Sequence, residues 1–287
     1  GINGDIPIGE TNLAYQFYVM NGASIEGELE EVAKSRDGRR AVLELEGVFS
    51  PQTGTFSNDI KDAKAVAGRI AWSPGPGHEI AASFYNGRYT PDYLQAESVT
   101  SVSVDGITKL WGIELEGEGV TTGWNNVEQV AASFARTAIT SSYFNPSSAD
   151  PVLEPEVSFV LNPIARRKTG YWVEARYPFW PEWMPSLGFS TPQLIPVARW
   201  EQVWFDHLLS GLTFRNGVVQ DYVLDARQLN RATVGFAYRP MPTVAITLAW
   251  EYIYTGGGSL VGLTNYIPAR ENEGSANSFL TGLTFGF

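Results

Sequence analysis

Charged residues in this chain recur two positions apart within stretches that are otherwise apolar or small. Glu114 and Glu116, Glu174 and Arg176, and Arg199 and Glu201 form such pairs; Arg69, Arg231 and Glu251 stand singly in similar surroundings. In an extended strand, residues i and i+2 project from the same face. Charges of both signs would then share one face. The opposite face would carry Ile70 and Trp72, Trp111, Ile113 and Leu115, Val173 and Tyr177, and Trp200. A wall of fixed Arg and Glu steers hydrated solutes and imposes a polar constriction, so these nine charges are the candidate pore lining. The same pattern also fits inward ion pairs that brace a closed barrel without a channel. Lipid against the other face would explain the segregation, because a mid-bilayer charge costs about 2–4 kcal/mol.

Bond-making chemistry has little to work with. His78 lies beside a turn and His207 at a strand end. Asp206 precedes His207, but adjacent strand residues face opposite sides, so the acid does not orient the ring as a catalytic triad requires. No metal-ligand cluster, Walker-type loop or dinucleotide fingerprint is present. Gly256-Gly257-Gly258 reads as a loop tip. Acidic loop residues could offer oxygen ligands to Ca²⁺, but no spacing compels it. No enzyme activity, cofactor or metal is expected.

The elements that would position these charges are strands. Aromatics reach 13%, yet no stretch approaches the roughly 20 apolar residues of a membrane helix. A membrane crossing would therefore be made by strands. The chain has no cysteine, which removes disulfides and thiolate metal sites. Its net charge of −11 argues against nucleic acid as a partner.

Between Thr243 and Tyr254, Val244, Ile246, Leu248, Trp250, Tyr252 and Tyr254 alternate with mostly small or polar residues. That is period two over about a dozen residues, as a tilted membrane strand requires. Val234, Phe236 and Tyr238 repeat the pattern, as do Phe279, Thr281, Leu283, Phe285 and Phe287. Earlier candidates are 13–20, 63–73, 79–89, 107–118, 170–178 and 193–203. Val127–Thr137 supplies a further strand, although its Ala-rich stretch from Val130 to Ala135 also suits a helix. Short turns at 74–77 and 239–243 alternate with long polar loops near 21–62, 90–106, 139–169, 205–228 and 255–276. Short turns on one side and long loops on the other are the layout of an outer-membrane barrel.

With Gly1–Ile6 as the end of a further strand, the count is about eleven. Bacterial single-chain barrels have even strand numbers. The odd count predicts a single domain, residues 1–287, that is the larger part of a longer barrel lacking N-terminal strands here. One miscounted strand and a 12-stranded barrel is the alternative. Gly1-Ile2-Asn3-Gly4-Asp5 has neither the basic start nor the apolar run of a signal peptide. The loop near 139–169 is a candidate constriction. Its run Arg166-Arg167-Lys168 is either solvated or turned inward toward anionic solutes.

Several segments resemble the phosphate-selective porin O and P superfamily. Gly4–Gly22, with Leu13-Ala14-Tyr15 and Tyr18-Val19-Met20-Asn21-Gly22, is similar to an internal hairpin of that family. Lys64–Ile70, Tyr171–Tyr177 and Val197–Glu201 are similar to later strands, and Leu283-Thr284-Phe285-Gly286-Phe287 to the C-terminal assembly signal. The resemblance implies a 16-stranded, often trimeric barrel in the bacterial outer membrane, among lipid and lipopolysaccharide. It also implies that the barrel-assembly machinery reads Phe287. Phosphate selectivity does not carry over, because Arg69, Arg176, Arg199 and Arg231 are spread around the wall among glutamates. The expected function is passive diffusion of ions and small polar solutes. The rival readings are a barrel acting as scaffold, sheath or adhesin, and a soluble all-β protein that buries its aromatic face against a second sheet.

Overall fold

Strand formation follows the alternating code, and turns form where glycine or proline interrupts it. A computed structural model describes residues 1–26, 29–37, 40–47, 50–53, 64–90, 94–143, 156–185, 189, 191–215, 218–256 and 274–285. In chain order the elements are β1 (Ile2–Ile8), β2 (Thr11–Asn21), β3 (Ala23–Glu26), β4 (Leu29–Asp37), β5 (Arg40–Gly47), β6 (Ser50–Thr53), β7 (Lys64–Gly75), β8 (His78–Arg88), β9 (Ser98–Leu110) and β10 (Ile113–Trp124). Then come α1 (Val127–Tyr143), β11 (Glu156–Arg176), β12 (Gln193–Arg215), β13 (Val218–Met241), β14 (Val244–Gly256) and β15 (Gly274–Phe285).

The main sheet runs β1-β2-β7-β8-β9-β10-β11-β12-β13-β14-β15. Every neighbouring pair in it is antiparallel. This is an eleven-stranded up-and-down sheet. Among the described residues β1 and β15 do not pair with each other, so the sheet is open. The region 21–62, expected as loop, holds β3 paired with β6 and β4 paired with β5. β5 touches β11 through a single parallel pair, Leu161 with Gly47.

Two expectations about single elements change, and their effects on the strand count cancel. Residues 107–118 are not one strand but a hairpin, β9 and β10, reversed by Trp111 and Gly112 at φ 50° and 83°. Positive φ at both central positions matches the right-handed strand twist, and glycine meets it without strain. The Trp-Gly pair lacks the usual Asn-Gly signature, so the alternation runs visually through the turn; Trp111 sits at its tip, not on a face. Conversely, Val127–Thr137 is helical. Val127, Val130, Ala131 and Ala135 are buried at helical spacing, alanine is the strongest helix former, and Glu128 lies in the first turn where the helix dipole favours it.

The expected loop at 205–228 is mostly strand. β12 and β13 run for 23 and 24 residues, against 12 and 13 for β10 and β14. A membrane strand needs roughly 9–11. β11, with 21 residues, also outruns β10, whose pairing stops at Arg167. Strands β11–β13 thus project beyond their neighbours as a three-stranded extension. Its cause is a buried apolar set, Leu208, Leu209, Leu212 and Phe214, that polar-loop reasoning passes over.

Reversals at Gly9-Glu10, Pro76-Gly77, Trp111-Gly112 and Pro242-Thr243 share one end of the sheet. The longer connection 177–192 is at that end too, held by an isolated bridge between Phe179 and Leu194. The opposite end carries β3–β6, residues 89–90 and 94–97, α1 and the projecting β11–β13.

Candidate functional site

Register places all nine charges expected along the pore on one face. Arg69 on β7 lies opposite Ser83, whose own opposite on β9 is Ser103. Glu114 and Glu116 on β10 lie opposite Arg176 and Glu174 on β11. Glu174 is opposite Arg199 on β12, Glu201 opposite Arg231 on β13, and Thr233 opposite Glu251 on β14. The other face carries Ile70, Trp72, Val104, Val173, Trp200, Val234, Phe236, Leu248 and Leu283, all exposed.

Most of the nine are linked across strands. Glu116 pairs with Arg176, whose Nε stands 2.9 Å from Glu174. Glu174 lies 3.5 Å from Arg199, and Arg199 lies 2.7 Å from Glu201. Glu201 pairs with Arg231, Arg231 lies 3.4 Å from Glu251, and Ser278 on β15 donates to Glu251 at 3.3 Å. The signs alternate along this belt from β10 to β15. Three of its carboxylates are well covered: the side chains of Glu174, Glu201 and Glu251 are 16%, 14% and 12% exposed, while that of Glu116 at the end of the belt is 38%. Desolvated carboxylates need partners, and each is held between cations or polar groups. Glu114 stands outside the belt, 3.2 Å from Lys109.

Arg69 belongs to a second cluster. It pairs with Asp105 on β9 and lies 2.9 Å from Glu79 on β8. A cleft of about 340 Å³ continues from this cluster to Glu116, Glu118 and Trp172. Trp172 donates its indole N–H to Glu118 at 3.3 Å and lies under the Arg199 guanidinium, 4.2 Å from the ring centre. Such cation–π contact fixes the planar guanidinium over the ring. Glu79, Asp105, Glu118 and Trp172 were not among the expected lining. Asp105 fell within the expected loop at 90–106, and an aromatic on the charged face contradicts the simple two-face code.

The basic run Arg166-Arg167-Lys168 is not in a loop. It forms part of β11, with Lys168 opposite Thr122 and Phe205, and Arg167 opposite Gly123 and Asp206. Alternation separates the three: Arg166 and Lys168 take the charged face and Arg167 the other. They therefore form no common cationic patch. Phe287 lies outside the described residues; Phe285 projects from the apolar face beside Val244.

The element that does cover the charged face is α1. Val127, Val130, Ala131, Ala132 and Ala135 pack into one cluster with Tyr89, Val99, Trp124, Ile164, Leu209, Leu212 and Phe214, and with Val219 and Tyr222 around it. Val99 and Trp124 are cross-strand partners two rungs from Ser101 and Thr122, on the charged side. The cluster reaches from the end of β8 to β13. Within the cluster α1 packs chiefly against β11 and β12. Tyr89 anchors the start of α1. Its hydroxyl donates to the Asn125 carbonyl at 2.5 Å, its ring meets Trp124 edge to face at 5.0 Å, and burial pushes its phenol pKa up.

His78 Nδ1 lies 2.7 Å from Thr108 Oγ1, and His207 is exposed at φ 50°. Among the described residues no His, Asp and Glu gather into a metal-binding group. No family model and no curated protein matches this chain.

Proposed function

We propose that this chain forms the larger part of an outer-membrane β-barrel whose apolar face meets lipid and whose charged face lines a water-filled passage for ions and small polar solutes. One observation carries the reading. Among the described residues a single antiparallel sheet has an exposed face of large apolar side chains, and its opposite face bears a belt of Arg and Glu. Water-soluble proteins seldom leave so wide an apolar surface exposed. Among the described residues no second sheet packs on it, as the soluble alternative requires. In the bilayer the same surface would be solvated by lipid, and the short-turn end would face the periplasm.

The resemblance to phosphate-selective porins extends the proposal to a barrel of about 16 strands, to trimers, and to Phe287 as an assembly signal. A second reading draws on α1. A helix packed on the charged side of the sheet would narrow the passage, and a scaffold or sheath around a partner, without an open channel, would use the same seat. Single-channel recording in a planar bilayer separates the two. Stepwise currents from protein purified in detergent are the expected result. Silence from correctly folded barrels would overturn the porin reading in favour of the occupied scaffold.

A further inference from the structure

One cross-strand row carries two cations that the charged belt does not use. Lys168 on β11 lies opposite Phe205 on β12, and Phe205 lies opposite Arg227 on β13, so all three side chains take the charged face. The row between it and the belt is apolar: Gly170, Val203 and Leu229 are cross-strand partners. Both cations are withdrawn from water without being satisfied. The Arg227 side chain is 9% exposed. Its Nε donates to Asp225 at 3.0 Å, but its Nη1 is buried with no hydrogen-bond partner. Lys168 is half-buried and makes no hydrogen bond or ion pair among the described residues. Asp225 is already engaged, accepting from Arg227 and from the Ala226 backbone N–H.

Covering a cation without giving it an acceptor costs stability, so folding alone does not account for this row. In the belt, by contrast, Arg176, Arg199 and Arg231 each meet two carboxylates. Lys168 and Arg227 stand two strand spacings apart, roughly 10 Å between backbones, and both side chains are long enough to converge over Phe205 on one anion. An ammonium and a guanidinium N–H together satisfy the two oxygens of a carboxylate. The surroundings choose among anions. Phe205 is 9% exposed and shares an apolar cluster with Val203 and Leu229. Apolar walls with a few polar groups suit a ligand that has an apolar body, and they offer a fully hydrated inorganic anion too few donors.

We infer that Lys168 and Arg227 form a binding site for a small organic monocarboxylate, whose apolar body lies against Phe205, Val203 and Leu229. The site goes beyond the passage proposed above and does not require that passage to be open. The test is calorimetric titration of the folded protein in non-ionic detergent with benzoate, its uncharged analogue benzamide, and inorganic phosphate. Benzoate should bind saturably, benzamide should not bind, and phosphate should bind more weakly than benzoate. Lys168→Met should weaken benzoate binding on the order of tenfold, the worth of one hydrogen bond to a charged group. Arg227→Gln should do the same, but it also breaks the pair with Asp225, so Lys168→Met carries the test if that variant does not fold. Without ligand, Lys168→Met should melt no lower than the unmodified protein, because the amine it removes has no partner. Absence of benzoate binding, equal binding of benzamide, tighter binding of phosphate, or unchanged affinity in K168M would each overturn the inference. A lower melting point for K168M would also overturn it, since Lys168 would then be paired already. Binding is read separately from channel currents: benzoate binding without currents upholds the site and removes the open passage, while currents without binding do the reverse.

Discussion

The lower sheet and the β11–β13 extension are built from the same strands, yet they use opposite polarity codes. In the lower sheet one face is charged and the other apolar, as at Glu201 and Trp200 on β12. In the extension the side that meets α1 is apolar, with Leu209, Leu212 and Phe214 in the α1 cluster. The change occurs within a few residues. Phe205 is buried, Asp206 and His207 are exposed, and Leu208 and Leu209 are both fully buried. His207 adopts φ 50°, and the register of β12 against β13 shifts between Phe205 and Leu208 and again between Leu209 and Gly211. A bulge is the device that lets a strand re-aim its side chains without ending its ladder. Below it, apolar side chains are stable facing outward only if something apolar surrounds the sheet. Above it, they turn inward and find a helix, as in a water-soluble domain.

This contrast predicts that the two regions respond differently to substitution. The largest effect belongs to the α1 cluster. Phe214→Ala opens a cavity at a fully buried site and should cost about 3–5 kcal/mol, read as loss of hydrogen-exchange protection in α1 while the lower sheet stays protected. Simultaneous loss of protection in both regions would show that they fold as one unit. Next is a charge on the lower apolar face. Val234→Arg should cost about 2–4 kcal/mol in unfolding from lipid vesicles, because the guanidinium would face hydrocarbon. A neutral result would place that face in water and end the membrane reading.

A smaller effect is expected in the belt. Arg199→Met removes the cation shared by Glu174 and Glu201, each of which keeps a second arginine. Partial exposure screens the pair, so a loss of about 1–2 kcal/mol in urea titration is expected. The smallest effect tests the upper region's outer side. Val223 is exposed on the extension, and Val223→Arg should change stability by no more than about 0.5 kcal/mol. A penalty as large as that for Val234→Arg would mean that lipid, or another cover, reaches the extension.

Much of the lower sheet was legible because its signal is local. Every expected lining charge from Arg69 to Glu251 lies on one face, since period two is a property of the extended backbone itself. Hidden features had misleading local signals. The Trp111-Gly112 reversal preserves the alternation across a turn. The 127–143 segment reads as strand or helix by period alone until alanine content decides it. The charges of Arg166-Arg167-Lys168 suggested a loop, but hydrogen bonding to β10 and β12 holds them in a strand. Leu208 and Leu209 lie in the expected loop at 205–228, yet they are consecutive ladder residues that face opposite sides of β12, and each is buried in its own cluster, Leu208 with Ala165 and Phe205 and Leu209 with the α1 cluster.

The sequence by itself determined which residues share a face, because side chains on a strand alternate regardless of what surrounds them. It also determined that no helix here is apolar enough to cross a bilayer. Only the tertiary structure decided which charges meet and what covers the charged face. Glu116 finds Arg176 and Arg231 finds Glu201 through cross-strand register. α1 finds β11 and β12 through the apolar cluster they share. Both depend on contacts between residues distant in sequence, where local periodicity carries no information.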